Sequence, residues 1–132
     1  MLKFLGKYRD TGLLLMRIGL GVAFMMHAYP KFAGGAKAWR EVGSAMRHFG
    51  ISLYPEFWGF LAAATEGLGG VLLILGALYR PVCLALMFTM FVATVHLTKT
   101  ADFKTYSHPL KMAFVFLGMA FIGPGKLSVD KD

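Results

Sequence analysis

The stretch FLAAATEGLGGVLLILGALY, residues 60–79, is a run of apolar and small residues with a single charged side chain, Glu66. It lies within the apolar segment 57–79, which is long enough to cross a membrane, since about 20 helical residues span the hydrocarbon core. A charged carboxylate left unpaired in lipid costs several kcal/mol at least. The stretch therefore predicts a membrane helix that keeps an acidic group away from the acyl chains.

The composition supports a membrane environment. The chain has 132 residues, of which 57% are hydrophobic and 16% charged, against about 25% charged in an ordinary soluble domain. A soluble chain of this length could not bury so much apolar side chain. We therefore expect one transmembrane domain, residues 1–132.

Three further apolar segments complete the prediction, at residues 11–29, 81–98 and 107–123. We expect Pro30 to end the first and Arg80-Pro81 to separate the second from the third. Arg17, inside the first segment, argues against a cleavable signal peptide, so this segment is predicted to be retained. The fold class is all-α: an integral membrane four-helix bundle, with both termini on one side.

Residues 36–49 form a different kind of segment between the first and second spans. Trp39, Val42, Met46 and Phe49 recur at three- and four-residue steps, with basic residues elsewhere around the helix. This pattern predicts an interfacial amphipathic helix whose apolar face lies toward lipid or the bundle.

The net charge of +7 does not indicate nucleic-acid binding, because Lys and Arg fall between the apolar segments, where anionic headgroups lie. Six basic residues flank the spans on the terminal side and six on the other. Charge alone therefore leaves the orientation open.

Glu66 is predicted to lie on a helix–helix seam, because Ala62 and Gly70 share its face and small residues let membrane helices approach closely. Two states are open for it. It is either protonated and hydrogen-bonded, or it faces a cation, for which Arg17 of the first span is the candidate. Alternatively, Arg17 extends to the headgroups and takes no part in the seam.

All four histidines fall at the end opposite the termini, where they are joined by two lysines: His27, His48, His96, His108, Lys99 and Lys111. Such a group could bind a quinone headgroup, a haem or metal ion, or an anionic substrate. No two of these histidines have the spacing of metal ligands on a helix, so we predict no metal site. The single cysteine, Cys83, is interpreted as a small buried hydrophobe, and no cysteine pair is present for redox chemistry.

Three stretches together resemble the DoxX family: RIGLGVAFMMHAYPKF, FWGFLAAATEGLGGVLLILGALYRP and HPLKMAFVFLGMAFIGPGKLSVD. The resemblance implies a small four-span protein of the bacterial inner membrane with both termini cytoplasmic and the histidines periplasmic. Some members look like subunits of thiosulfate:quinone oxidoreductase, and others associate with thiol or superoxide defence enzymes.

The leading hypothesis is a redox-linked subunit that binds quinone, or a similar apolar molecule, in the helix bundle. Candidate ligand-binding or proton-path residues are Arg17, His27, Glu66, His96, Lys99, His108 and Lys111. The alternatives are a non-catalytic scaffold for a partner enzyme, with residues 36–49 as its docking segment, and an oligomeric transporter. Expected partners are the lipid bilayer, membrane or thiol-redox proteins, and further copies of the chain.

Overall fold

The computed structural model describes residues 1–130, and most of that length is helical. The α-helices are α1 (Arg9–Ala33), α2 (Gly35–Gly43), α3 (Pro55–Leu75), α4 (Tyr79–Thr100) and α5 (Phe103–Ile122). Two 3₁₀ segments, Lys3–Tyr8 and Ser44–Phe49, precede α1 and follow α2. Residues 1–130 contain no strand, so the all-α prediction is confirmed.

The first helix was expected to end at Pro30, but it continues to Ala33. A proline inside a helix removes one backbone hydrogen bond, in this case the bond to the Met26 carbonyl. The next turn is closed, because the amide of Gly34 donates to the Pro30 carbonyl at 2.9 Å. This extra turn brings Lys31 onto the same helix as Arg17 and His27.

Helices α1 and α3 run antiparallel and pack closely on each other. A Cβ atom on Gly21 would lie 2.5 Å from the Gly70 carbonyl oxygen. A Cβ atom on Gly70 would likewise lie 2.5 Å from the Gly21 carbonyl oxygen. Only residues without a side chain allow this approach, which is how membrane helices gain packing energy where apolar burial supplies no drive.

Helix α2 packs its apolar face against the first turns of α3. A Cβ on Gly43 would overlap the Pro55 carbonyl, and one on Gly59 would overlap the Trp39 carbonyl. The Trp39 ring meets the Phe60 ring edge to face, with centroids 5.1 Å apart. The predicted amphipathic segment therefore begins as a helix, continues as the 3₁₀ turn Ser44–Phe49, and covers the protein rather than lipid.

The main apolar core lies among α3, α4, α5 and one ring of α1. Its buried members are Phe24, Leu73, Tyr79, Val82, Cys83, Leu86, Met90, Phe116, Met119 and Ala120. Helix α4 packs along both α3 and α5. Helices α1 and α5 meet through larger side chains, with the rings of Phe24 and Phe116 5.1 Å apart.

The segment after α5 folds back over the end of the helices where α1 begins. The Asp130 carboxylate accepts hydrogen bonds from the amides of Leu78 and Tyr79, at 3.0 and 2.8 Å, and so caps the start of α4. The Lys126 amide donates to Asp10 at 3.0 Å. We call residues 123–130 the C-terminal cap, and the end of the helices that it covers the terminal end.

Three helical stretches are long and apolar enough to cross a membrane: Lys3–Ala33, α3 and α4. Their outward faces carry large apolar side chains, such as Leu15, Leu68 and Phe88, which are exposed on the chain itself. The protein is therefore a membrane protein whose helices contact lipid. Helix α5 is not among the three, and Ser107, His108 and Lys111 make its first turns polar.

Candidate ligand-binding site

The partner of Glu66 is Lys31. The Lys31 ammonium donates to both carboxylate oxygens, at 2.7 Å to Oε1 and 2.6 Å to Oε2. Glu66 is 2% exposed, whereas 27% of the Lys31 side chain is accessible. The acidic group thus faces a cation, one of the two states open from the sequence, and that cation keeps one side accessible from outside the protein.

The predicted pairing of Arg17 with Glu66 is wrong. Arg17 lies 14 positions before Lys31 on α1, which is about 21 Å along the helix axis at 1.5 Å per residue. In the antiparallel register Arg17 lies level with Gly76, because a Cβ added there would meet the guanidinium. Its Nη2 donates to the Leu127 carbonyl of the C-terminal cap.

Arg17 is fully buried and does not extend to the headgroups. Its Nε and Nη1 atoms have no hydrogen-bond partner within residues 1–130, and neither does the hydroxyl of Tyr79. Cys83, one turn after Tyr79, is also fully buried, which confirms its interpretation as a small core residue. Arg17 therefore belongs to the terminal end and not to the Lys31–Glu66 pair.

An aromatic surface, formed by Phe32, Trp39 and Phe60, lies beside the ion pair. Phe32 and Phe60 meet edge to face at 6.0 Å, and Trp39 meets Phe60 at 5.1 Å. Phe32 also lies over Gly67, next to Glu66 in the chain, since a Cβ on Gly67 would be 3.3 Å from the Phe32 ring. The Trp39 Nε1 donor is buried without an acceptor in the described part of the chain.

The structure arranges the four histidines as two pairs. His27 of α1 faces His108 of α5, with ring centroids 6.3 Å apart. His48 of the second 3₁₀ segment contacts His96 of α4, with Nε2 and Nδ1 3.2 Å apart. Among residues 1–130, no three His, Cys, Asp or Glu side chains come together as a metal-binding group.

The other predicted site residues are Lys99 and Lys111, and both are exposed. The residues that the sequence reasoning missed are Lys31 and Trp39. A signal for Lys31 was available, because it follows His27 by four positions and so shares its helix face if the helix passes Pro30. No comparable signal identified Trp39, whose role depends on how α2 packs on α3.

This arrangement has a definite chemical capacity. A lysine ammonium held by a buried carboxylate can donate a hydrogen bond to a carbonyl oxygen on its accessible side, and the pair can exchange a proton with a bound molecule. The rings beside it offer flat apolar faces for stacking. A planar carbonyl compound soluble in lipid matches both features.

Comparison with known proteins gives two matches. The profile of the DoxX family matches residues 12–99, about two thirds of the chain, a range that includes Lys31, Glu66 and His96 but ends before His108. The chain is also 29% identical over 99 residues to a Bacillus subtilis (strain 168) protein named "Putative oxidoreductase CatD". The aligned region covers 75% of this chain and 69% of that protein. No solved structure matches the chain.

Proposed function

The chain belongs to the DoxX family, and from that premise we propose that it is a redox-linked subunit of the bacterial inner membrane that binds a quinone or a similar apolar small molecule. In this proposal α1, α3, α4 and α5 all cross the membrane as a four-helix bundle. The two termini are cytoplasmic, and the histidines lie toward the periplasm.

The observation that carries the proposal is the Lys31–Glu66 pair. Its lysine side chain is 27% accessible, and Phe32, the next residue in the chain, meets the Phe60 ring edge to face. A quinone arriving from the lipid would stack on the aromatic surface, with one carbonyl accepting from the Lys31 ammonium.

The pair also suits the proton chemistry of a quinone. Reduction to the quinol takes up two electrons and two protons, and a buried carboxylate next to a lysine can pass protons to the carbonyl oxygens. A polar path continues from Lys31 through two histidines. His27 lies one helical turn before Lys31, and His108 faces His27. The proposed polar end also includes three residues of the other two helices. His96 and Lys99 lie in the last turns of α4, and Lys111 lies in the first half of α5.

The electrons must come from a bound cofactor or from another protein. The sequence contains one cysteine, and Cys83 is buried in the core, so the chain has no dithiol pair of its own. We propose a partner oxidoreductase that carries a flavin or a reactive thiol pair and reduces the quinone held by this subunit. The name of the CatD relative agrees with a redox setting.

A binding experiment tests the proposal. Decylubiquinone would be titrated against the purified protein in detergent, with quenching of Trp39 fluorescence as the signal in a Trp58→Phe background. We expect saturable binding that weakens at least tenfold in Lys31→Met and in Glu66→Gln. Glu56→Gln is the matched control, because it breaks the exposed ion pair with Arg40 and should leave binding unchanged. A wild-type protein that shows no saturable binding contradicts the proposal.

A non-catalytic scaffold is the second candidate, and one observation favours it. Both oxygens of Glu66 are already bound by Lys31, so the pair is complete without a ligand and would then only fix the register of α1 and α3. The apolar face of α2 is used inside the protein, so a partner would dock on its polar face instead. Partner activity that survives both Glu66→Gln and His96→Ala would favour this candidate.

A further inference from the structure

The contact between His48 and His96 joins two ring nitrogens from different parts of the chain. His48 lies in the 3₁₀ segment Ser44–Phe49 and His96 near the end of α4, 48 positions later. Nε2 of His48 and Nδ1 of His96 are 3.2 Å apart, and the ring planes are tilted by 50°. Neither nitrogen has another hydrogen-bond partner among the contacts of the described residues.

Something positive must lie between these two nitrogens. In a neutral imidazole one ring nitrogen carries a proton and the other carries a lone pair. Two facing lone pairs repel each other, and so do two facing N–H groups. The contact is therefore completed either by one shared proton, as a hydrogen bond, or by a metal ion bound to both lone pairs.

The geometry of the two rings fits a shared metal ion. Two imidazole nitrogens bound to one tetrahedral ion at 2.0–2.1 Å stand about 3.3 Å apart, and their ring centroids about 5.2 Å apart. The observed separations are 3.2 Å between nitrogens and 5.3 Å between centroids. Both separations thus agree with those expected for two imidazoles that share one ion.

The surrounding residues hold the two histidines in position. Phe49, next to His48, meets Phe91 of α4 with ring centroids 6.1 Å apart. This contact fixes the 3₁₀ segment against the same helix that carries His96. A site built on two packed elements keeps its ligand spacing without the metal.

We propose that His48 and His96 form a surface binding site for a divalent transition-metal ion of the Zn²⁺, Cu²⁺ and Ni²⁺ class, which prefers imidazole ligands. No carboxylate or thiolate joins them as a third member of a metal-binding group within residues 1–130, so water completes the coordination. Mg²⁺ and Ca²⁺ do not suit the site, since both ions require a set of oxygen donors. Arg47 adds positive charge near His96, so the site binds its ion reversibly, without the affinity of a structural centre.

The metal site has His96 in common with the polar end of the proposed quinone site, and an experiment without quinone tests it on its own. The protein is purified without a polyhistidine tag, stripped with a chelator, and titrated with Zn²⁺ and with Cu²⁺ in detergent. We expect one ion per chain, a Cu²⁺ electron paramagnetic resonance spectrum with hyperfine coupling to two imidazole nitrogens, and a rise in melting temperature on adding Zn²⁺.

The other histidine pair supplies the matched controls. His48→Gln and His96→Gln should each weaken Zn²⁺ binding at least tenfold and abolish the rise in melting temperature. His27→Gln and His108→Gln should leave both unchanged. The proposal is overturned if wild type binds no ion at micromolar concentration, if its Cu²⁺ spectrum shows coupling to fewer than two nitrogens, or if the two pairs contribute equally. The double variant His27→Gln/His108→Gln, which keeps only His48 and His96, should retain the two-nitrogen spectrum, and loss of that spectrum in a folded double variant would also overturn the proposal.

Discussion

Lys31 and Glu66 lie on neighbouring antiparallel helices, and a single ammonium group holds both oxygens of a carboxylate that is 2% exposed. Opposite charges attract strongly where little water screens them, but each was costly to remove from water. Such a pair therefore contributes modestly to stability as a whole, whereas the loss of one partner leaves the other uncompensated.

Removal of one member of this pair is expected to destabilise the protein more than removal of both. Lys31→Met should lower the free energy of unfolding by about 3 kcal/mol, because the Glu66 charge then lacks its partner. The double variant Lys31→Met/Glu66→Leu should recover most of that loss. Thermal unfolding in detergent, followed by circular dichroism, measures both.

The exposed pair between Arg40 and Glu56 is the control for this comparison, with Nε and Oε1 2.8 Å apart. Glu56→Gln should cost less than about 1 kcal/mol, because water already screens both groups. Losses that simply add in the double variant would show that Lys31 and Glu66 act independently and would contradict the prediction.

The C-terminal cap is expected to detach when Asp130 is changed. Asp130→Ala removes the acceptor for two amides at the start of α4, and a lost helix cap costs about 1 kcal/mol. The cap should then open more often, and trypsin should cleave after Lys126 faster than in wild type. The rate of cleavage under native conditions measures this.

A cap residue at the other end of the protein separates this local effect from general destabilisation. The Asp102 side chain accepts from the Thr105 amide at 3.3 Å and caps α5. Asp102→Ala should cost a similar free energy while cleavage after Lys126 stays at the wild-type rate. Equal acceleration in both variants would mean that the cap opens only with the whole fold.

The apolar helices were predictable from sequence because hydropathy locates them and the small residues on α3 mark its packing face. The predicted boundary at Arg80-Pro81 was wrong, because α3 ends at Leu75 and both residues lie in the first turn of α4. The true end of α1, beyond Pro30, was not predictable. A proline costs one hydrogen bond, and the last turn of a helix tolerates that loss. Stopping α1 at Pro30 left Lys31 in a loop, and Arg17 remained the only cation on the helix for Glu66.

The register between α1 and α3 was the other feature that the sequence could not supply. The sequence offered Arg17 as the candidate cation for Glu66, whereas contact between Gly21 and Gly70 fixes a register that puts Arg17 beside Gly76. The pairing of His48 with His96 likewise depends on where the 3₁₀ segment packs, and periodicity along one helix carries no information about that.

The close contact of α2 with α3 is expected to be intolerant of any side chain. Gly59→Ala adds a methyl group that would overlap the Trp39 carbonyl, and forcing an extra carbon into packed structure costs about 1–3 kcal/mol. Gly118→Ala is the control, because a Cβ there meets nothing within 4 Å, and it should change stability by less than about 1 kcal/mol. Equal melting temperatures for the two variants would contradict the contact.

Whether α5 crosses the membrane decides on which side residue 126 lies relative to residue 3. Single cysteines would be placed at Lys3, Ser52 and Lys126 in a Cys83→Ala background, which removes a thiol that is already buried. With four crossings and cytoplasmic termini, an impermeant maleimide added to spheroplasts should label the cysteine at position 52 alone. The other two should react only after the membrane is permeabilised. If α5 does not cross, positions 3 and 126 must label from opposite sides, an outcome hard to reconcile with the hydrogen bond from the Lys126 amide to Asp10.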